Sequence, residues 1–270
     1  MNLPASDLLT RATAARRVRV EALKLDTPGY RLRERLGTVR PAGRLERALR
    51  RGAASNPLRL LCGILRASPT KGVLRAEVDA AALARIYGAG GAAGISVATE
   101  PERSLGDLAW VGAVRDACAL PVLVDDLVVD EYQLLDAAVR GADGVLLIAA
   151  LCSDVQLQVL ASGARLLGLD PLVEVHDADE LRRALKAGAT LLGLGSREPD
   201  AAARGLATAL ELLPVVPPLV TAVAWSVDSQ AATLERLRDT RCDAVLAGEV
   251  LLSGSDPATA LATLAATARG

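Results

Sequence analysis

Two acidic residues close short apolar runs and are the side chains best placed for proton chemistry. Asp125 ends Pro121-Val122-Leu123-Val124-Asp125, and Glu174 lies in Leu172-Val173-Glu174-Val175. Arg197 ends a third run, Gly193-Leu194-Gly195-Ser196-Arg197. A carboxylate pair facing an apolar wall separates its proton affinities through desolvation and like-charge repulsion, so one acid and one base coexist near neutral pH. An arginine beside the pair would orient an enolate, a carboxylate or a polarised carbonyl. The set predicts cofactor-independent acid–base turnover of a mostly apolar small molecule by a cyclase, isomerase or lyase, in specialised metabolite biosynthesis. Asp125 has an alternative role, capping the following helix together with Asp126. His176, the single histidine, shares the strand side of Glu174 but falls in Val-His-Asp, a helix-entry sequence, and is expected to be structural or capping.

The remaining composition narrows the classes. One histidine and scattered acids give no metal-ligand spacing, and Cys62, Cys118, Cys152 and Cys242 form no Cys-x-x-Cys pair, so neither a metal site nor a disulfide framework is expected. A net charge of −1 from 31 basic and 32 acidic residues supplies no field for nucleic acid or an anionic membrane, and 2% aromatic residues leave few rings for stacking on bases. Arg31, Arg33, Arg35, Arg40, Arg44, Arg47, Arg50 and Arg51 crowd the N-terminal segment and are expected on solvated helix faces, with a partner surface as the alternative. Lys71 and Arg66 flank a Ser68-Pro69 turn and are expected in solvent, an anion site being the alternative. No run approaches a membrane span and Met1–Val18 has no apolar signal core, so the chain is expected in the cytoplasm.

The elements that must hold these residues alternate. After an arginine-rich helical preface, short apolar runs are predicted as strands at Arg59–Leu65, Gly94–Ala98, Pro121–Asp125, Gly144–Ile148, Pro171–Val175, Thr190–Leu194, Pro218–Val223 and Ala244–Ala247. Their starts lie about 20 to 35 residues apart, the length of a βα unit with its crossover helix. Glycine junctions at Gly90-Gly91, Gly141 and Gly188 end helices before strands, whereas Arg241-Cys242-Asp243-Ala244 lacks the glycine and predicts a looser exit. Runs apolar almost throughout fit a parallel sheet covered by helices. The fold expected is α/β, a (β/α)8 TIM barrel (57–270) with an N-terminal helical extension (1–56) packed on it. Alternate strands then bring Leu65, Asp125, Glu174 and Ala222 to one level of the mouth, and Ala- and Leu-rich outer helices would support a homodimer.

The stretch Cys62-Gly63-Ile64-Leu65-Arg66-Ala67-Ser68-Pro69-Thr70-Lys71-Gly72 resembles the first strand and loop of indole-3-glycerol phosphate synthase, usually Ala-Glu-x-Lys-x-Ala-Ser-Pro-Ser-Lys-Gly. The resemblance runs from Arg44 to Ala262 through Gly91–Val97, Leu120–Leu123, Gly141–Ala150, Leu172–Asp177 and Ala244–Glu249. It implies a barrel that closes and aromatises a ring on a phosphorylated carboxyphenylamino-deoxyribulose, losing carbon dioxide and water. It also implies a site that this chain alters. Gly63 and Leu65 stand where the family has Glu and Lys; Asp125 and Leu127 replace a Lys and an aromatic; Ala222, Val223 and Ala224 replace the Glu-Ser-Gly stretch that supplies a carboxylate and part of a phosphate cradle, and Trp225 follows it, expected to occupy part of that space. Glu174, Arg197, Ser68, Gly248 and Glu249 remain in register. Leu65, Ser68, Leu127, Trp225, Gly248 and Glu249 are accordingly expected to line the substrate site. Besides the acid–base reading, two alternatives stand: an inactive paralogue that binds a ligand or partner, and the synthase of tryptophan biosynthesis itself.

Overall fold

The computed structural model describes residues 5–53, 56–68, 70–195, 201–225 and 230–270. Its strands are β1 (Arg59–Ile64), β2 (Ala67–Ser68), β3 (Gly72–Val73), β4 (Gly94–Ala98), β5 (Val122–Asp125), β6 (Gly144–Ile148), β7 (Asp170–Val175), β8 (Leu191–Leu194), β9 (Thr221–Ala224) and β10 (Ala244–Ala247). Eight of them close a parallel barrel in the order β1-β10-β9-β8-β7-β6-β5-β4, and β2 and β3 form a small antiparallel hairpin above it. This is the (β/α)8 barrel expected, with N-terminal helices present. The expected strand from Pro218 begins only at Thr221. Pro217 and Pro218 have no amide to give a ladder, and Val220 N–H folds back on the Pro217 carbonyl at 3.0 Å as a turn.

The helices are α1 (Ala5–Asp26), α2 (Gly29–Arg35), α3 (Arg44–Leu49), α4 (Ala80–Ala89), α5 (Ala109–Ala117), α6 (Glu131–Val139), α7 (Asp154–Leu166), α8 (Ala178–Lys186), α9 (Ala201–Leu212), α10 (Ala231–Arg238), α11 (Glu249–Leu252) and α12 (Pro257–Arg269). Short polar side chains start five of them: Asp79, Asp130, Ser153, Asp177 and Asp256 each accept a first-turn amide. The cap of α6 is therefore Asp130, not the Asp125 and Asp126 pair. Gly91, Gly141 and Gly188 take positive φ near 80° (84, 83 and 79), as a left-handed helix stop needs. The exit of α10 manages without glycine. The Thr240 hydroxyl donates to the Leu237 carbonyl at 2.6 Å and accepts Cys242 N–H at 3.1 Å. That exit is tied rather than loose.

Period-two alternation sorts the strand residues into two layers. Cys62, Ile95, Val124, Leu147, Val173, Leu192, Ala222 and Val245 face the helices. Leu61, Leu123, Leu146, Leu172, Leu191, Val223 and Ala244 fill the barrel itself. Cys62 and Cys242 are fully buried in the outer layer, and burial pushes the Cys242 thiol up to about 12. Among the described residues no helix is long and apolar enough to cross a membrane.

The N-terminal face of the barrel is plugged by α3. Leu45 and Leu49, both fully buried, join the inner cluster, and truncating either to alanine would cost about 2–5 kcal/mol. Gly94 and Gly144 leave the room, since a Cβ on Gly144 would lie 2.6 Å from Leu45 Cδ2. Three strand-entry aspartates staple this plug. Asp143 accepts Val122 N–H at 2.9 Å and pairs with Arg44 at 2.6 Å. Asp170 takes the amides of Gly43 and Glu46. Asp243 accepts Ala222 N–H at 2.9 Å and Arg51 N–H at 3.0 Å. Arg51 is 3% exposed and donates to the carbonyls of Asn56, Cys242, Thr240 and Arg238. The expectation that the arginine-rich segment is solvated thus fails at Arg51, whose guanidinium is a structural fastener; Arg44 and Arg50 are bonded to the barrel while remaining part-exposed.

Candidate active site

The C-terminal ends of the strands gather the acidic side chains. Glu174 sits in the inner row of β7, in register with Ile148 of β6 and Gly193 of β8, and Gly193 is in register with Val223 of β9. The residue of β9 at the Glu174 level is therefore Val223. Ala222 faces the helices, which corrects the expectation that it lines the mouth. A one-residue shift in a strand moves a side chain to the opposite face. Leu65 follows the end of β1 and its Cδ2 lies over the β1–β10 seam: it would be 3.3 Å from a Cβ on Gly248.

Glu174 is 2% exposed, and its Oε1 is 2.8 Å from His176 Nε2. The other ring nitrogen, Nδ1, is 2.9 Å from Glu180 Oε2, which also accepts His176 N–H at 3.0 Å. His176 is thus neither a helix cap, which is Asp177, nor a surface ring. It joins two carboxylates. On the next wall Asp125 is half-buried with Ser96 Oγ 3.5 Å from its Oδ2. Asp126 points elsewhere: it is 4% exposed, pairs with Arg16 of α1 at 2.5 Å, and accepts Thr99 Oγ1 at 2.7 Å and Leu127 N–H at 2.7 Å. Burial raises its carboxyl above the ordinary value, outweighing Arg16, Thr99 and the Leu127 amide.

The apolar side of the mouth is packed. Leu127 and Trp225 are 5% and 4% exposed and belong to the inner cluster with Ile148 and Val223. Trp225 N–H donates to the Leu194 carbonyl at 2.7 Å, and Gly195 permits the approach: a Cβ there would meet the Trp225 carbonyl oxygen at 2.1 Å. The polar residues expected at the phosphate end form a latch between loops. Ser68 Oγ accepts Lys71 N–H at 3.0 Å, Thr70 Oγ1 donates to Glu249 Oε1, and Lys71 Nζ is 3.6 Å from Glu249 Oε2. Lys71 is thus tied to Glu249 while keeping much of its surface in water. Ser68 and Glu249 are brought together by this latch, and Gly248 sits under Leu65. Arg197 lies outside the described residues.

Sequence reasoning did not find Arg16, Thr99 or the bridge from Glu174 through His176 to Glu180. Arg16 and Asp126 are 110 residues apart and no local pattern joins them. The His176 to Glu180 spacing of four residues across a helix entry was the one readable signal.

The family profile described as indole-3-glycerol phosphate synthase matches residues 9–264. Indole-3-glycerol phosphate synthase 1 of Streptomyces coelicolor is 41% identical over 235 residues, covering 87% of this chain and 86% of that protein. The indole-3-glycerol phosphate synthase of Roseiflexus castenholzii is 38% identical over 259 residues (92% and 94%), and that of Burkholderia ambifaria 36% over 268 residues (96% and 99%). Among solved structures, thiamine phosphate pyrophosphorylase from Pyrococcus furiosus matches with a TM-score of 0.60 at 19% identity, over 80% of this chain and 98% of its own. At that identity it shows the barrel fold alone. The relatives correct the expected function. A barrel redirected to acid–base turnover of an apolar molecule in specialised metabolism is overturned by likeness along most of the chain to proteins that bear the synthase name. A match that begins in α1 and ends in α12 encloses every strand of the barrel, and the chain belongs to the indole-3-glycerol phosphate synthase family.

Proposed function

We propose that the chain is an indole-3-glycerol phosphate synthase of tryptophan biosynthesis, closing and aromatising the indole ring of a phosphorylated carboxyphenylamino-deoxyribulose with loss of carbon dioxide and water. The observation that carries this reading is the extent of the likeness: 41% identity over 235 residues, with relatives aligned along 86%, 94% and 99% of their own lengths. A buried carboxylate supports it. Glu174 stands on the inner face at the C-terminal end of β7, the end at which barrels of this kind carry their chemistry. The reaction needs an acid at the oxygen that leaves as water and a base at the carbon that becomes part of the aromatic ring. Because Gly63, Leu65, Asp125 and Val223 supply no cation, Glu174 and its bonded partners bear the proton traffic. Asp125 and Ser96 form the polar wall beside them, and Arg197 is the cation assigned to the substrate's carboxylate or carbonyl. A phosphorylated substrate of this kind is consistent with a protein that works in the cytoplasm.

Purified protein given that substrate should form fluorescent indoleglycerol phosphate, and the gene should restore growth of a tryptophan auxotroph lacking its synthase. No product at enzyme concentrations equal to substrate would overturn the reading. A second reading, a barrel that binds without turnover, is favoured by one observation: Trp225 and Leu127 are buried at the mouth and Leu65 lies over Gly248. Calorimetric binding of indoleglycerol phosphate together with absent turnover would select it.

A further inference from the structure

We infer that His176 is a positioning residue that relays protons: it charges Glu174 during turnover and is reset through Glu180. The inference deepens the synthase reading and rests on it. An imidazole nitrogen and a carboxylate oxygen form a hydrogen bond only with a proton between them. Both ring nitrogens here face carboxylates, at 2.8 Å and 2.9 Å. The two bonds hold two protons among the three groups, one more than two carboxylates and a neutral ring carry. The cluster is a loaded proton store.

Burial gives the store a direction. The Glu174 side chain is 3% exposed, that of His176 17% and that of Glu180 15%, so the dry end points into the barrel and the other reaches water. Glu174 from β7 and Glu180 from α8 are the carboxylates bonded to the ring. Asp177 is turned to Glu180 N–H as the cap of α8. Arg183, one turn further, is turned to Asp154 of α7 and to the carbonyls of Ala149 and Cys152. The adjoining β8 offers Gly193 and Leu194, and β6 offers Ile148, none of them charged. Asp125 on β5 is the next acid around the mouth. It is an acid where the family pattern has a lysine, so a proton must come from another group.

The step balances without a further reactant. Ring closure leaves a hydroxyl that must depart as water. The proton on Nε2 passes to Glu174 and from Glu174 to that oxygen, the C–O electrons leave with the water, the indole nitrogen's lone pair fills the vacated bond, and the proton then lost from the neighbouring carbon goes to solvent as its C–H electrons complete the aromatic ring. His176 is left neutral with its Nδ1–H on Glu180, and a proton from solvent at Glu180 resets the ring.

Because the chain has one histidine, ¹⁵N NMR of the ring reads this cluster without assignment. At neutral pH the wild type should show both ring nitrogens protonated. His176→Gln keeps a hydrogen-bonding amide but no transferable proton. Its kcat should fall about 100-fold, with KM within about twofold, and the alkaline limb of the kcat–pH profile should vanish. Glu180→Gln should keep kcat on the acid side and move that limb to lower pH, which a purely structural contact would not do; this variant and the wild-type spectrum decide the matter if His176→Gln does not fold. One unprotonated ring nitrogen at neutral pH, an unmoved limb in Glu180→Gln, or wild-type kcat in His176→Gln overturns the relay and leaves the synthase standing. A wild type that forms no product overturns both.

Discussion

The two ends of the barrel use the same kinds of residue for opposite purposes. At the N-terminal face, Asp143, Asp170 and Asp243 accept backbone amides, and Arg44 and Arg51 are fixed to carboxylates and carbonyls around a plug of Leu45 and Leu49. The bonds of these residues join backbone to side chain or close an ion pair. At the mouth, Glu174 is bonded to His176 and His176 to Glu180, side chains that can take or release a proton, while Asp126 is held by Thr99 and Arg16. Asp143 and Asp243 even repeat one device four strands apart around the barrel, each taking an amide at the start of the preceding strand, Val122 in β5 and Ala222 in β9. No such repetition occurs among the mouth residues described. The floor is built for permanence and the mouth for exchange of protons.

The comparison breaks most readily at Arg51. Replacing it with methionine strands four carbonyls in a dry setting, and should cost about 3–5 kcal/mol in urea unfolding while kcat per folded molecule stays unchanged. Glu174→Gln is the mirror experiment. It should lower kcat by at least about 100-fold with a small change in unfolding free energy. If Glu174→Gln destabilises as much as Arg51→Met, the two ends do not differ in purpose.

A smaller effect separates the two ends by one methyl group. A Cβ at Gly144 would lie 2.8 Å from the Asp170 carbonyl oxygen and 2.6 Å from Leu45 Cδ2, and backbone cannot yield cheaply. Gly144→Ala should therefore cost about 1–3 kcal/mol. At the mouth, a Cβ on Gly248 first meets the tip of Leu65 at 3.3 Å, a flexible end that can turn away. Gly248→Ala should cost about 1 kcal/mol or less. Parallel thermal unfolding of the two variants checks the difference, and equal losses would show that the mouth is packed as rigidly as the floor.

These contrasts also show what the sequence could yield. The barrel was readable because its strands are apolar runs of regular spacing and three helix exits carry glycine at positive φ. Glu174 was readable because alternation along β7 is unbroken. Val223 was missed for Ala222 because β9 begins three residues later than its apolar run, and a strand's facing depends on register more than on composition. Arg51 and Arg16 look like any other arginines in a basic preface; what distinguishes them is a side-chain partner far along the chain, 191 and 110 residues away. Function misled for a related reason. Judged one by one, Gly63, Leu65 and Asp125 argue for new chemistry, whereas the likeness spread over the whole chain argues for the family's own.

The finest probe of the mouth is Asp126. Its folded carboxyl binds a proton more readily than in the unfolded chain, because burial outweighs Arg16, Thr99 and the Leu127 amide. Stability from this group is then fully present below the ordinary value of 3.8 and is lost as pH rises through the folded value. Asp126→Asn removes that dependence. The cost of the substitution, measured by urea unfolding from acid to neutral pH, should shrink as pH rises, since the wild type alone gives up stability over that window. A cost that grows instead would mean that Arg16 holds the carboxylate ionised against its burial. The clamp of α1 on the mouth would then be an ion pair as permanent as those of the floor, and the contrast between the two ends would narrow to the histidine and its two glutamates.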